Sequence, residues 1–198
     1  MANRELTGIL LVGGTSRRFG SPKALARLGD ELLAERAWRV LGTLCDERIA
    51  FGKAALGLRL PFPVRDDETP VQAPLAGVVA GLRAAKNDVC ICLPVDLPFI
   101  SERALSELVD ACSDAAVPQT GPLPGAFRRT ALPVFERRLA AGELALKEAL
   151  DELDTRVVQL DPALLVNVNT QRQLREAHER ASAATLGDVE RSRQGISS

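Results

Sequence analysis

The chain has 198 residues, 46% of them hydrophobic and 26% charged, with 25 Lys and Arg against 26 Asp and Glu for a net charge of −1. A chain of this size buries roughly 70% of its unfolded surface on folding, which excludes a wholly disordered, collagen-like or disulfide-stapled protein. The balanced charge gives no basic field for nucleic acid, and the longest uncharged stretch, 69–82, is broken by Pro70, Pro74, Gly77 and Gly81, so no membrane span is expected.

Short apolar runs alternate with longer amphipathic stretches along the chain, the pattern of an α/β protein with a mostly parallel sheet. Residues 6–12 read as a first strand buried on both faces. Glu5 before this run, Arg17 and Arg18 after it and the lack of a small-residue cleavage pattern argue against a secretory segment. A helix is expected over 31–44, a short strand over 48–51 and, past a Gly- and Pro-rich passage, a helix over about 75–85. Residues 88–94 form an apolar strand that delivers Asp96 just beyond its carboxyl edge, where open sheets bind ligands. Ser101 should cap a helix running to about 112. Further strands are expected at 115–118, 125–129 (antiparallel), 156–160 and 165–168, and helices at 133–139, 143–153 and from about 171. No internal repeat or linker divides the chain, so a single domain is expected over 1–182, followed by a mobile tail of small and polar residues over 183–198. Cys45, Cys90, Cys92 and Cys112 lack metal-binding spacing and suit the core of a protein kept in the reducing cytoplasm.

The loop after the first strand, Leu11-Val-Gly-Gly-Thr-Ser-Arg-Arg-Phe-Gly-Ser-Pro-Lys23, joins glycines, hydroxyls and cations. Glycines let backbone N–H groups approach phosphate oxygens, and Arg or Lys neutralises the charge that develops during transfer. Its spacing fits neither the G-x-x-x-x-G-K-[ST] loop nor G-x-G-x-x-G, so an ordinary P-loop ATPase or dinucleotide binder is not indicated. Asn167 and Asn169 lie two apart, so on extended chain they face one way with Val168 in the core. No Ser-His-Asp set is plausible with His178 the only histidine.

Taken together, Gly13-Gly-Thr-Ser-Arg-Arg-Phe-Gly-Ser-Pro-Lys-Ala-Leu25, Pro74-Leu-Ala-Gly-Val-Val-Ala-Gly-Leu82, Pro94-Val-Asp-Leu-Pro-Phe-Ile100 and Asn167-Val-Asn-Thr170 resemble the molybdenum cofactor guanylyltransferase (MobA-like) branch of the nucleotidyltransferases. The resemblance spans positions 9 to about 175. It implies a Rossmann-like three-layer fold around a mostly parallel mixed sheet. It also implies transfer of GMP from magnesium-bound GTP to the terminal phosphate of molybdopterin, with release of pyrophosphate. Such a reaction needs positioning, a metal and cations rather than a covalent nucleophile. On this resemblance Leu11, Val12, Gly13, Gly14, Lys23, Asp67, Leu75, Gly77 and Asp96 contact the nucleotide, Lys23, Arg18 and Asp96 serve catalysis, and Asp96 holds Mg2+. Asn167 and Asn169 reach the acceptor phosphate or the metal, with helix capping as the competing role. Asp66 is the neighbouring alternative to Asp67; Asp67 keeps the usual offset to Pro70. Molybdopterin-inserting proteins or molybdoenzymes would be the protein partners.

The sequence departs from the family pattern at several positions. Pro22 stands where Asp is usual, Phe19 where Met is usual, Val12 where Ala is common, and Ala73 where Gly precedes the proline. Gly52 or Lys53 occupies the place of an asparagine near the base. Two other readings therefore stay open: a related enzyme using CTP or another phosphorylated acceptor, and a catalytically silent nucleotide-binding module.

Overall fold

The computed structural model describes residues 5–13 and 19–194. In chain order the first half comprises β1 (Leu6–Leu11), the paired short strands β2 (Arg27–Leu28) and β3 (Glu31–Leu32), α1 (Leu33–Leu44), β4 (Glu47–Gly52), β5 (Val64–Asp66), α2 (Pro74–Ala84) and β6 (Val89–Pro94). The second half comprises α3 (Glu102–Ala111), β7 (Ala115–Pro118), β8 (Gly125–Arg128), α4 (Leu132–Ala141), α5 (Leu146–Leu150), β9 (Thr155–Val158) and α6 (Gln171–Gln194).

Seven strands form one sheet in the order β5-β4-β1-β6-β8-β7-β9, with β8 antiparallel to both β6 and β7 and every other pairing parallel. This bears out the three-layer α/β expectation. Strand β1 lies between β4 and β6, so the chain reverses direction across the sheet beside β1, and the crevice at the strands' carboxyl ends is where such sheets bind ligands.

Alternation along β1 sorts the core into two layers. Leu6 and Leu10 face α1 and α3 in one cluster, with Leu41, Ile91, Leu105 and Leu108. Ile9 and Leu11 face α2, α4 and α5 in the other, with Leu75, Val78, Phe127 and Phe135. All six residues of β1 are buried, as expected of a strand covered on both faces. Helix α2 lies against β1 because Gly77 and Gly81 carry no side chain. A Cβ at Gly81 would sit 2.5 Å from Ile9 Cγ2, and one at Gly77 would sit 2.8 Å from Leu11 Cδ2. A third cluster, of Phe19, Ala26, Leu28, Leu33, Val168 and Ala177, fastens α6 to β2, the start of α1 and the end of the Gly-rich loop.

Several expected elements differ. The helix expected from 31 begins at Leu33, because Glu31–Leu32 is drawn into the antiparallel pair with Arg27–Leu28. The helix expected over 143–153 shortens to Leu146–Leu150. The strand expected over 165–168 does not form. Asp161 caps a 3-10 turn over Pro162–Leu165, its carboxylate accepting from Ala163 N–H at 2.8 Å, and the chain then runs extended but outside any sheet. Helix α6 continues to Gln194, across position 183, where small polar residues suggest a tail. Among the described residues no helix is long and apolar enough to cross a membrane.

Candidate active site

Two lysine–carboxylate pairs stand at the carboxyl rim of the sheet, one on each side of β1. On the β6 side, Lys23 opens a 3-10 turn (Lys23–Leu25) just after the Gly-rich loop, and its ammonium lies 3.1 Å from Asp96 Oδ2. The same ammonium donates to Asn169 Oδ1. The sequence thus places residues 23, 96 and 169 in three distant motifs, and the fold gathers their functional atoms into one cluster.

The turn bearing Asp96 is fixed from three directions. Val95 and Leu97 are buried on either side of it. The Asp96 carbonyl accepts from Val168 N–H at 2.8 Å, and the Pro98 carbonyl accepts from Arg36 Nε on α1 at 2.6 Å. With one carboxylate oxygen on Lys23, the other, Oδ1, is buried and has no hydrogen-bond partner among the described residues. A buried carboxylate oxygen left unsatisfied is costly, and a hard divalent cation with oxygen preference is the partner that fits it. Among the described residues no group of three or more His, Cys, Asp or Glu could form a protein-only metal cage. A single carboxylate completed by substrate phosphates is the usual way magnesium is held beside a nucleotide.

On the β4–β5 side, Lys53 follows β4 and donates to Asp67 Oδ1 and to the Thr69 carbonyl. Asp67 itself is largely buried. Asp66 is bonded differently, its two oxygens accepting from Ala54 N–H at 2.6 Å and Glu68 N–H at 2.7 Å. Those backbone donors, Ala54 foremost, hold its carboxyl below the usual carboxylate range. Asp66 therefore shapes the turn, whereas Asp67 forms an ion pair at the rim. Lys53 is also close to the Gly-rich loop, since an added Cβ on Gly13 would lie 3.5 Å from Gly52 Cα and 3.9 Å from Lys53 N.

Leu11 and Val12 are buried, and Val12 N–H donates to the Phe51 carbonyl at 2.9 Å, which carries the β1–β4 pairing up to the start of the loop. Gly13 is exposed at the rim. Leu75 has no exposed side chain, so any contact it makes with a ligand falls to its backbone in the first turn of α2. Gly77 is explained by its approach to Leu11. Asn167 and Asn169 are exposed while Val168 is fully buried, so their predicted common face holds without a strand ladder. Gly14 and Arg18 lie outside the described residues.

Some parts of the site escape motif reading. The Arg36 tether has no sequence signal beyond residue type, and Lys53 and Asp67, each singled out by position, carry no signal that they pair. Thr170-Gln-Arg-Gln173, in contrast, matches the capping-box pattern. In the structure Gln173 N–H donates to Thr170 Oγ1 at 3.2 Å, and Gln173 Oε1 accepts from Asn169 N–H at 2.9 Å.

A lysine and a carboxylate with an oxygen unpartnered among the described residues, set at the switch point of a three-layer sheet, suit a phosphorylated ligand, and the family match makes the chain a nucleotidyltransferase of the α/β class. The chain belongs to the MobA-like NTP transferase domain family, which matches residues 8–184. It is 34% identical over 161 residues to a probable molybdenum cofactor guanylyltransferase of Chloroflexus aggregans, covering 75% of this chain and 77% of that one. A protein of the same name from Mycobacterium marinum is 33% identical over 196 residues, covering 88% and 96%. The fold matches that of molybdopterin-guanine dinucleotide biosynthesis protein A from Archaeoglobus fulgidus with a TM-score of 0.76, at 22% identity over 89% of this chain and 99% of that one.

Proposed function

We propose that this enzyme transfers GMP from magnesium GTP to the terminal phosphate of molybdopterin and releases pyrophosphate. The observation that carries this reading is the 3.1 Å contact between Lys23 and Asp96 at the β1–β6 crevice, with Asp96 Oδ1 buried and unpartnered among the described residues. An oxygen of the acceptor phosphate attacks the α-phosphorus in line. One P–O bond forms, the bond to the β-phosphate breaks, and the electron pair leaves with pyrophosphate. The acceptor is already an anion, so the protein's contribution is to align it and to offset charge.

Asp96 would hold magnesium, which when bound screens the phosphate oxygens and orients the triphosphate. Lys23, with Asp96 and Asn169 as its partners among the described residues, would offer its remaining N–H to an oxygen of the leaving pyrophosphate. Gly13 lets the loop backbone come close to the nucleotide, and Lys53 with Asp67 borders the end of the crevice that takes the base. The four free cysteines are all buried, which accords with a reducing cytoplasmic setting. Molybdopterin-inserting proteins or molybdoenzymes are the partners to which the product would pass.

The test is to incubate the protein with magnesium, molybdopterin and each of the four nucleoside triphosphates in turn and to measure pyrophosphate. Release with GTP is expected. Release with CTP alone would overturn the guanylyl assignment, and nucleotide binding without turnover would favour a silent binding module.

A further inference from the structure

The start of α6 is wired at two points to the stretch 19–23 that closes the Gly-rich loop. Gln171 Nε2 donates to the Phe19 carbonyl at 3.1 Å, and Asn169 Oδ1 accepts from the Lys23 ammonium. Asn169 is itself held on both sides. Its N–H donates to Gln173 Oε1 at 2.9 Å within the cap of α6, and the preceding residue, Val168, is fully buried with its N–H on the Asp96 carbonyl at 2.8 Å. The third core cluster locks this arrangement by packing Phe19 with Val168 and Ala177. A lysine side chain has four rotatable bonds and a compact charge that is easily misplaced. Here its tip is set between a carboxylate 73 residues away in sequence and an amide oxygen 146 residues away.

We infer that Asn169 is a positioning residue for the nucleotide, acting through Lys23, and that the N-terminus of α6 is the element that aims the lysine at the triphosphate. This goes beyond an acceptor role for the Asn167–Asn169 segment, because it makes the segment part of the donor half of the site. It rests on the nucleotidyltransferase reading of Lys23. The amide oxygen supplies what a second carboxylate would not: it holds the ammonium in place without cancelling the charge needed by the phosphates.

The two roles separate when the acceptor is omitted. Binding of each magnesium nucleoside triphosphate to the parent protein and to Asn169→Ala is measured by titration calorimetry with no molybdopterin present. Positioning through Lys23 predicts about tenfold weaker binding of the preferred triphosphate by Asn169→Ala, the size of one hydrogen bond to a charged group. In a Lys23→Ala background the same substitution should then have no further effect. Unchanged or tighter binding by Asn169→Ala would overturn the inference. If the parent binds no triphosphate, the proposed function fails instead.

A second arm needs no nucleotide. The rate of reductive methylation of Lys23, read by mass spectrometry, should rise severalfold in Asn169→Ala and stay at or below the parent rate in Asn169→Asp, which keeps an acceptor oxygen and holds the ammonium with added charge. Equal rates in all three proteins would also overturn the inference.

Discussion

The two lysine–aspartate pairs at the rim are chemically alike and differently wired. Lys53 and Asp67 are 14 residues apart, and the Thr69 carbonyl completes the lysine's local partners. That pair closes a turn between neighbouring parallel strands. Lys23 and Asp96 are 73 residues apart, share Asn169 from a third segment, and leave a carboxylate oxygen buried without a partner among the described residues. Ion pairs, exposed or buried, are weak evidence of stability or function in themselves, so neither pair is informative merely because it exists. Long-range convergence and the oxygen unpartnered among the described residues are why the proposed chemistry is placed on the β6 side. On the proposed reading the β4–β5 side shapes the crevice.

The largest expected effect is therefore on the β6 side. Lys23→Ala should lower turnover by about 100- to 1000-fold, the usual loss for one charge-stabilising donor, while the protein stays folded, with a stability loss within the about 1–3 kcal/mol expected when a carboxylate loses its partner. Full activity would remove Lys23 from the site. Asp96→Ala should abolish the magnesium-dependent rate, and a magnesium titration that superimposes on the parent's would refute Asp96 as the metal ligand.

Lys53→Ala should behave otherwise. It leaves the largely buried Asp67 carboxylate without its ammonium, which costs about 1–3 kcal/mol of stability, and it should raise the nucleotide KM far more than it lowers kcat. A kcat loss as deep as that of Lys23→Ala would erase the distinction between the two pairs.

The smallest effect concerns neither pair. Burial pushes the thiols of Cys45 and Cys90 up to about 12 and that of Cys112 to about 11, and Cys92 is raised as well. Above pH 9 the unfolded chain releases these protons and the folded chain retains them, so the folded state binds more protons and stability falls as pH rises. Denaturant midpoints should be steady from pH 7 to 8.5 and decline between pH 9 and 11. In native protein at pH 8 the thiols should resist alkylation until denaturant is added. Fast labelling of the folded protein would contradict their burial.

The sequence reveals the parts of this molecule in which local pattern and tertiary role coincide. The runs at 6–11 and 89–94 are apolar because both faces of β1 and β6 are covered, and their positions bring Lys23 and Asp96 to one rim. Asn167, Val168 and Asn169 show where such reading stops. Alternating burial occurs as the spacing predicts, yet it records only that the chain is extended, because the Val168 N–H goes to the Asp96 carbonyl and not to a strand. Strands of two residues, such as β2 and β3, are too short to produce a periodic signal. Gly77 and Gly81 read equally well as room for a ligand or for a strand, and the distances to Leu11 and Ile9 show that they make room for the strand. Lys53 could be read only as standing in the place of an asparagine near the base; its partners could not, since they are brought to it by the β4–β5 pairing.

The most direct test of the central claim is a double-mutant cycle on kcat/KM for GTP with Lys23→Ala and Asp96→Asn. If the ammonium and the carboxylate grip one metal-bound triphosphate as a unit, the double variant should be little slower than the slower single variant. Losses that multiply, with each residue acting as if the other were absent, would contradict a shared ligand.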